Sequence, residues 1–208
     1  MDGTWTLESI ARMPSAPELE PEPLLDAVLA EAATTSISAS SLDAIAARAG
    51  TTTATIRDRY PDLRVLMVDA LRRRDELGAA QIAQGPRDGR ALLQGFLATA
   101  QANTAAPGAV ELFATLSAAA TSADHPGHEY FRQRYASLRH LLVDALRELE
   151  EEGELAEHAD PVDIATQTIA LLDGLQVQWL LDRGSLDMAA LVRTFLDVWV
   201  LHPLAIDA

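Results

Sequence analysis

The chain has 208 residues, 49% of them apolar and 5% aromatic, with a formal net charge of −15. That apolar fraction excludes wholesale disorder, and the acidic excess excludes a protein that coats nucleic acid without selection. Cysteine is absent, which removes disulfides, thiol catalysis and cysteine-ligated zinc.

Alanine and leucine dominate over aromatic residues, a balance that favours packed helices over sheets and predicts an all-α fold. All 16 basic residues are arginine. No apolar run approaches the roughly 18 residues of a membrane span. The opening MDGTWTLESIARM carries an acid at Asp2 and lacks the apolar segment of a signal peptide. A soluble, cytoplasmic protein without a membrane partner is expected.

Residues 1–23 include PSAPELEPEP, too rich in proline and glutamate to hold a helix, so a mobile acidic arm is expected, with a helical turn near Trp5 to Met13. Pro23 suits the first position of a helix that aligns Leu24, Leu25, Val28 and Leu29. It fades in the polar run from Thr34 to Ser40. Ser41 suits an N-cap, followed by a stripe of Leu42, Ile45, Ala46 and Ala49. Gly50 supplies a left-handed residue at the stop. Thr51 or Thr52 then caps a short helix with Ile56 and Tyr60 inward, and Pro61 ends it.

Asp62 caps a longer helix with Leu63, Leu66, Met67, Ala70 and Leu71 inward and an exposed run Arg72-Arg73-Arg74. A loop is expected from Gly78 to Gly89. Five further helices are predicted at about residues 90–105, 107–123, 127–152, 161–183 and 186–201, about nine in all. Pro107-Gly108, the DHPG turn, Gly153, Asp160-Pro161 and Gly184-Ser185 punctuate them. There is no internal repeat and no convincing strand.

Two short helices joined at a glycine turn have the form of a helix-turn-helix, whose second helix enters the major groove. The segment TTTATIRDR is short and polar, bearing hydroxyls and guanidiniums suited to phosphates and base edges. From Arg48 to Arg64 the balance reverses locally, with Arg48, Arg57, Arg59 and Arg64 against Asp58 and Asp62.

SLDAIAARAG followed without gaps by TATIRDRYPDLRVL resembles the DNA-binding block of the tetracycline-repressor (TetR) family of transcriptional regulators. HEYFRQRYASLRHLLVDALRELEEEGEL and ADPVDIATQTIALLDGLQVQWLLDRG resemble that family's seventh and eighth helices, so the likeness covers nearly everything after Leu24. It implies a three-helix DNA-binding domain over residues 24–61 and a ligand-binding and dimerisation domain over 62–208, with 62–77 as connecting helix. Contacts to a double-stranded operator would come from Ser41, Thr51, Thr52, Thr53, Thr55, Arg57, Arg59 and Tyr60. An unidentified small-molecule effector would sit among Met67, Phe96, Asn103, Phe113, Leu116, Leu138 and Gln176. A homodimer would form through Leu172, Gly174, Leu175, Trp179, Leu180, Phe195, Leu196 and Trp199; leucine, tryptophan and phenylalanine so dense near a C-terminus exceed what one subunit's core usually needs.

The sequence departs from the family pattern at several positions, some of which usually meet phosphate. Ala32 and Ser36 replace a phenylalanine and a glycine, Arg57 and Asp58 stand at aromatic or basic positions, and Leu63 replaces a lysine. Glu18, Glu20 and Glu22 replace basic residues before the first helix. Each lost phosphate contact lowers affinity and flattens its salt dependence. The alternative expectation is therefore a TetR-like protein impaired in DNA binding, acting through protein contacts or by sequestering a ligand.

HPGH sets His125 and His128 three apart, but no third ligand accompanies them, so a helix-start turn is expected and no metal. The acidic run Glu148 to Glu154 reads as a solvated helix end. Nucleotide-binding and hydrolase motifs are absent from the sequence, so neither an enzyme nor a cofactor is expected.

Overall fold

The structure, a computed structural model, describes residues 22–34, 41–82, 85 and 88–205. The arm expected over residues 1–21, with Glu18 and Glu20, and the polar run holding Ser36 lie outside the described residues. Among those described the chain is all-α, with nine helices. These are α1 Glu22–Thr34, α2 Ser41–Arg48, α3 Thr53–Arg59, α4 Leu63–Ile82, α5 Gly89–Asn103, α6 Pro107–Ala119, α7 His128–Glu151, α8 Pro161–Leu181 and α9 Met188–Leu196. No described helix is long and apolar enough to cross a membrane.

Local chemistry sets most of the helix ends. Asp88, Asp160 and Asp187 each accept backbone N–H groups of the turn they precede, from Ala91 at 2.7 Å, Val162 at 2.8 Å and Ala190 at 3.0 Å. Gly50 and Gly153 take φ of +65° and +74°. Past each glycine the chain folds back, with Thr51 N–H donating to the Ala46 carbonyl at 2.9 Å and Glu154 N–H to Leu149 at 2.8 Å.

Four boundaries differ from the sequence expectation. Pro23 is the second residue of α1, after Glu22. α4 runs through Gly78 to Ile82 where a loop was expected, since one glycine costs a helix only about 1 kcal/mol. α6 stops at Ala119, and the Thr121 hydroxyl donates to the Ala118 carbonyl at 2.8 Å, competing with helical pairing. α9 stops at Leu196 because the chain after it turns to pair with the segment following α7. Ala156 N–H donates to Trp199 at 2.8 Å and Leu201 N–H to Glu154 at 2.9 Å, around an isolated antiparallel bridge between Leu155 and Val200.

Among the described residues, those up to Ala79 together with Ala105–Arg134 form one compact unit, and those of 80–104 with those from Tyr135 onward form another. The sequence expectation divided the chain after residue 61; packing places α6 with the first helices as well, because α1 packs against both α2 and α6.

In the first unit, Leu24, Leu25 and Val28 meet Leu42, Ile45, Ile56, Leu66 and Ala70 in one core. The run Arg72–Arg74, expected to be exposed, is partly buried. Arg72 pairs with Asp69 at 3.1 Å, and Arg73 reaches Asp26 and Glu22 of α1 at 3.3 and 3.4 Å. Burial, with Arg134 close by, pulls Arg74 below its ordinary pKa. Asp75 accepts from the Tyr130 hydroxyl at 2.6 Å and from Arg134 Nε at 2.9 Å. Long arginine stems cover apolar surface while their forks find carboxylates, so a basic triplet inside a helix can staple rather than project.

In the second unit, Leu93 and Leu97 of α5, Leu142, Leu146 and Leu149 of α7, Ile164 of α8 and Met188, Val192 and Leu196 of α9 are buried. α9 packs on α5 and α8. Arg90 pairs with Glu154 and donates to the carbonyls of His202 at 3.1 Å and Pro203 at 3.4 Å, tying down the chain beyond α9. Gly89 opens α5 directly against α7, where a Cβ would strike the backbone oxygen of Ala145. Gly89→Ala should therefore destabilise the protein by about 1–3 kcal/mol, read from urea unfolding. Gly95→Ala, with open space at its Cβ, should instead stabilise it by roughly 0.4–1 kcal/mol.

Candidate nucleic-acid interface

α3 has seven residues and one buried side chain, Ile56, at 1% exposure. Thr52 caps it: its Oγ1 accepts the Thr55 N–H at 3.1 Å and shares a 2.9 Å hydrogen bond with the Thr55 hydroxyl. Gly50 and the paired carbonyls behind it turn the chain between α2 and α3, which pack together. At the far end, the N–H of Tyr60 donates to the Ile56 carbonyl at 2.8 Å.

The burial pattern follows the phase set by Ile56. Ala54, Thr55, Arg57 and Asp58 are exposed; Thr51, Thr53, Arg59 and Tyr60 are partly buried. Arg59, expected outward beside Arg57, has Nε and Nη2 buried without a hydrogen-bond partner. Ser41, expected as a cap and a contact, is the first residue of α2 and buried. Arg48, part of the local basic balance and not one of the expected contacts, is exposed at the end of α2. It stands two residues before the turn glycine, Gly50.

α4 supports this segment. Tyr60 stands close to Asp69, and burial with Asp69's charge raises the tyrosine pKa. Burial likewise raises Asp69, opposed by the charge of Arg72. Asp62 caps α4 by accepting the Arg64 N–H at 2.9 Å and also takes the Arg64 guanidinium at 2.7 Å. That hydrogen bonding holds the Asp62 carboxyl below the usual range. Arg64 is thus engaged within the chain, and Leu63 beside it is partly buried.

The residues expected to hold an effector divide between the units. Met67 packs against the α1–α3 core. Phe113 and Leu116 are buried in the first unit, where the Phe113 ring meets Phe131 edge-on at 5.6 Å and the Arg134 guanidinium lies 4.7 Å over it. Phe96, Asn103, Leu138 and Gln176 belong to the second. Asn103 and Gln176 are buried there, and Gln176 Oε1 has no hydrogen-bond partner. His125 and His128 serve their turn: Nδ1 of His125 accepts the Gly127 N–H at 3.1 Å, and His128 Nδ1 bonds the Ala120 carbonyl at 2.8 Å.

Of the residues expected at a dimer face, Leu172, Leu175, Trp179 and Leu196 are already buried within their own chain. Leu180, Phe195 and Trp199 are partly buried, the last two edge-to-face at 6.5 Å. Gly174 is exposed. On the opposite side of α8 from Leu172, the sequence Val162, Thr166, Ala170, Gly174, Val177, Leu181 forms an exposed stripe at spacings of three and four. Val177 is 50% and Leu181 84% exposed, joined on and after α9 by Leu191 and Val198.

Residues 87–200 match the family model described as BetI-type transcriptional repressor, C-terminal. The structure is similar to that of SmeT, the repressor of the Stenotrophomonas maltophilia multidrug efflux pump SmeDEF, at 16% identity over 92% of this chain and 97% of that one, TM-score 0.64. It is similar to a TetR-family regulator structure from Rhodococcus sp. at 21% identity over 85% and 98%, TM-score 0.62. It is also similar to the fatty acid degradation regulator FadR from Bacillus halodurans at 17% identity over 85% and 95%, TM-score 0.58. No curated protein matches by sequence.

Losing the Thr52 hydroxyl removes the cap of a helix with one apolar anchor. Thr52→Ala should cost about 1 kcal/mol in urea unfolding, and Thr52→Ser should recover most of it. Equal losses in both would place the cap elsewhere.

Proposed function

The chain belongs to the TetR family of transcriptional regulators, and on that premise we propose that it is a homodimeric repressor that grips palindromic operator DNA through α2, the Gly50 turn and α3. A small-molecule effector releases it. The observation that carries the reading is the outward presentation of Thr55, Arg57 and Asp58 on a short helix anchored by Ile56 alone. Arg57 and Arg48 are the exposed cations of this face, and hydroxyls at Thr52 and Thr55 can meet phosphate or sugar.

A twofold assembly supplies two such helices, which can read half-sites about 34–36 Å apart or a multiple of that. We place the mate on the exposed stripe of α8 and α9, centred on Gly174, Val177 and Leu181, rather than on Leu172 and Trp179. Apolar side chains left exposed in a row are better covered by a second copy than by water. For the effector, the second unit's Phe96, Leu138, Asn103 and Gln176 offer apolar walls and polar anchors, with Gln176 Oε1 as an acceptor in need of a donor. An effector acts here only through its different affinity for the DNA-bound and free states.

The second reading, a regulator-like protein that has lost DNA binding, is favoured by one specific feature. The exposed face of α3 carries one arginine and one aspartate, while Arg59 turns in and Arg64 is held by Asp62. Gel-shift titration with the chain's own upstream DNA at low salt decides between them, since no shift at micromolar dimer favours the second. If DNA is bound, Arg57→Ala should weaken binding by roughly tenfold and flatten the salt dependence. Unchanged affinity would remove α3 from the contact surface.

Sedimentation checks the dimer face. Val177→Arg should yield monomers that remain folded, whereas Leu172→Ala should stay dimeric while losing about 2–5 kcal/mol of stability. The reverse pattern would put the interface on the Leu172 side.

A further inference from the structure

We propose that Asp58 is a base-reading residue, accepting a hydrogen bond from the exocyclic amino group of one cytosine in each operator half-site. The proposal rests on the DNA-binding reading above and deepens it by naming a base and the side chain that selects it.

Phase places Asp58 at the crest of the helix. Successive residues of an α-helix turn by about 100°, so Ala54 and Asp58, each two residues from Ile56, lie nearly opposite the buried anchor. Thr55 and Arg57 flank that line, and Thr53 and Arg59 fall toward the core. Exposure follows the same order: Ala54, Thr55, Arg57 and Asp58 are exposed, Thr53 and Arg59 partly buried. The part of α3 that would go deepest into a groove is therefore a methyl group and a carboxylate. Ala54, one turn ahead, keeps the crest low and lets the short aspartate approach base edges.

Among the described residues nothing neutralises that carboxylate: the Asp58 side chain makes no hydrogen bond and no ion pair. Arg57 follows Ile56 on the same helix but points about 100° away, since neighbours in sequence do not face each other. A bare carboxylate brought between phosphate strands is repelled unless the duplex offers it a donor. The major groove offers two, the amino groups of adenine and cytosine. Adenine sets its N7 acceptor beside the donor, which opposes a carboxylate; the cytosine edge presents the donor without an adjoining acceptor. Aspartate thus selects cytosine and rejects thymine, whose O4 is an acceptor at the same place.

The test is selection of bound duplexes from a randomised pool by the full-length protein and by Asp58→Ala and Asp58→Asn. The wild type is expected to enrich a twofold-symmetric motif with a fixed C·G pair in each half. Both variants should lose the preference at that pair and keep the rest of the motif. Changing that pair to T·A in the selected duplex should weaken wild-type binding by roughly tenfold and Asp58→Ala binding far less. If both variants bind the selected and random duplexes more tightly by one common factor, with an unchanged motif, the carboxylate only repels phosphate and the base contact is refuted. If the wild type enriches no duplex, the DNA-binding reading itself falls, and this contact with it.

Discussion

One side chain sets the orientation of everything that faces outward from α3. A helix of seven residues is too short to be stable alone, and here a single isoleucine, Ile56, docks it into the core of α1, α2 and α4. With only one anchor, the rotation of the helix is decided by where that anchor enters. Thr52 and Tyr60 then fix its two ends, through a capping hydroxyl and a backbone N–H that closes on the Ile56 carbonyl. Rotating the helix by one residue would bring Arg59 out and bury Arg57, so the chemistry of the exposed face is a consequence of packing beneath it.

α4 transmits that placement into the rest of its unit. Asp69 joins Tyr60 to Arg72, Arg73 ties α4 to α1, and Asp75 gathers Tyr130 and Arg134 from α7. Exposed ion pairs are worth little, which discounts those of Arg73 with Asp26 and Glu22, but Asp75 is partly buried and orients both Tyr130 and Arg134. The Tyr130 hydroxyl is held protonated well beyond its ordinary range, first by burial and then by Asp75. Its hydrogen bond to Asp75 therefore stays a neutral donor to an anion, the stronger kind.

α8 shows why apolar content near the C-terminus does not by itself reveal an interface. The helix carries a buried line through Ile164, Thr168, Leu172, Leu175 and Trp179 and a second, exposed line through Val162, Val177 and Leu181. Both lines are apolar at helical spacing. The larger side chains occupy the inner line, where they close the unit's core, and smaller or more scattered ones occupy the outer.

Sequence alone determined the all-α class, the order of the helices and most of their ends. Caps, prolines and left-handed glycines act over three or four residues, so Thr52, Asp62, Asp160, Gly50 and Gly153 could be read without knowing the fold. The helix-turn-helix was legible for the same reason, being a local motif. Tertiary structure decided which side of each helix is covered. It turned Arg59 inward and left Asp58 at the crest, converted Arg72 and Arg73 from projecting charges into staples, and buried Leu172 and Trp179 while exposing Val177 and Leu181. Those choices depend on what lies against each helix, and a helix with side chains of one kind on two sides carries no local record of its neighbours.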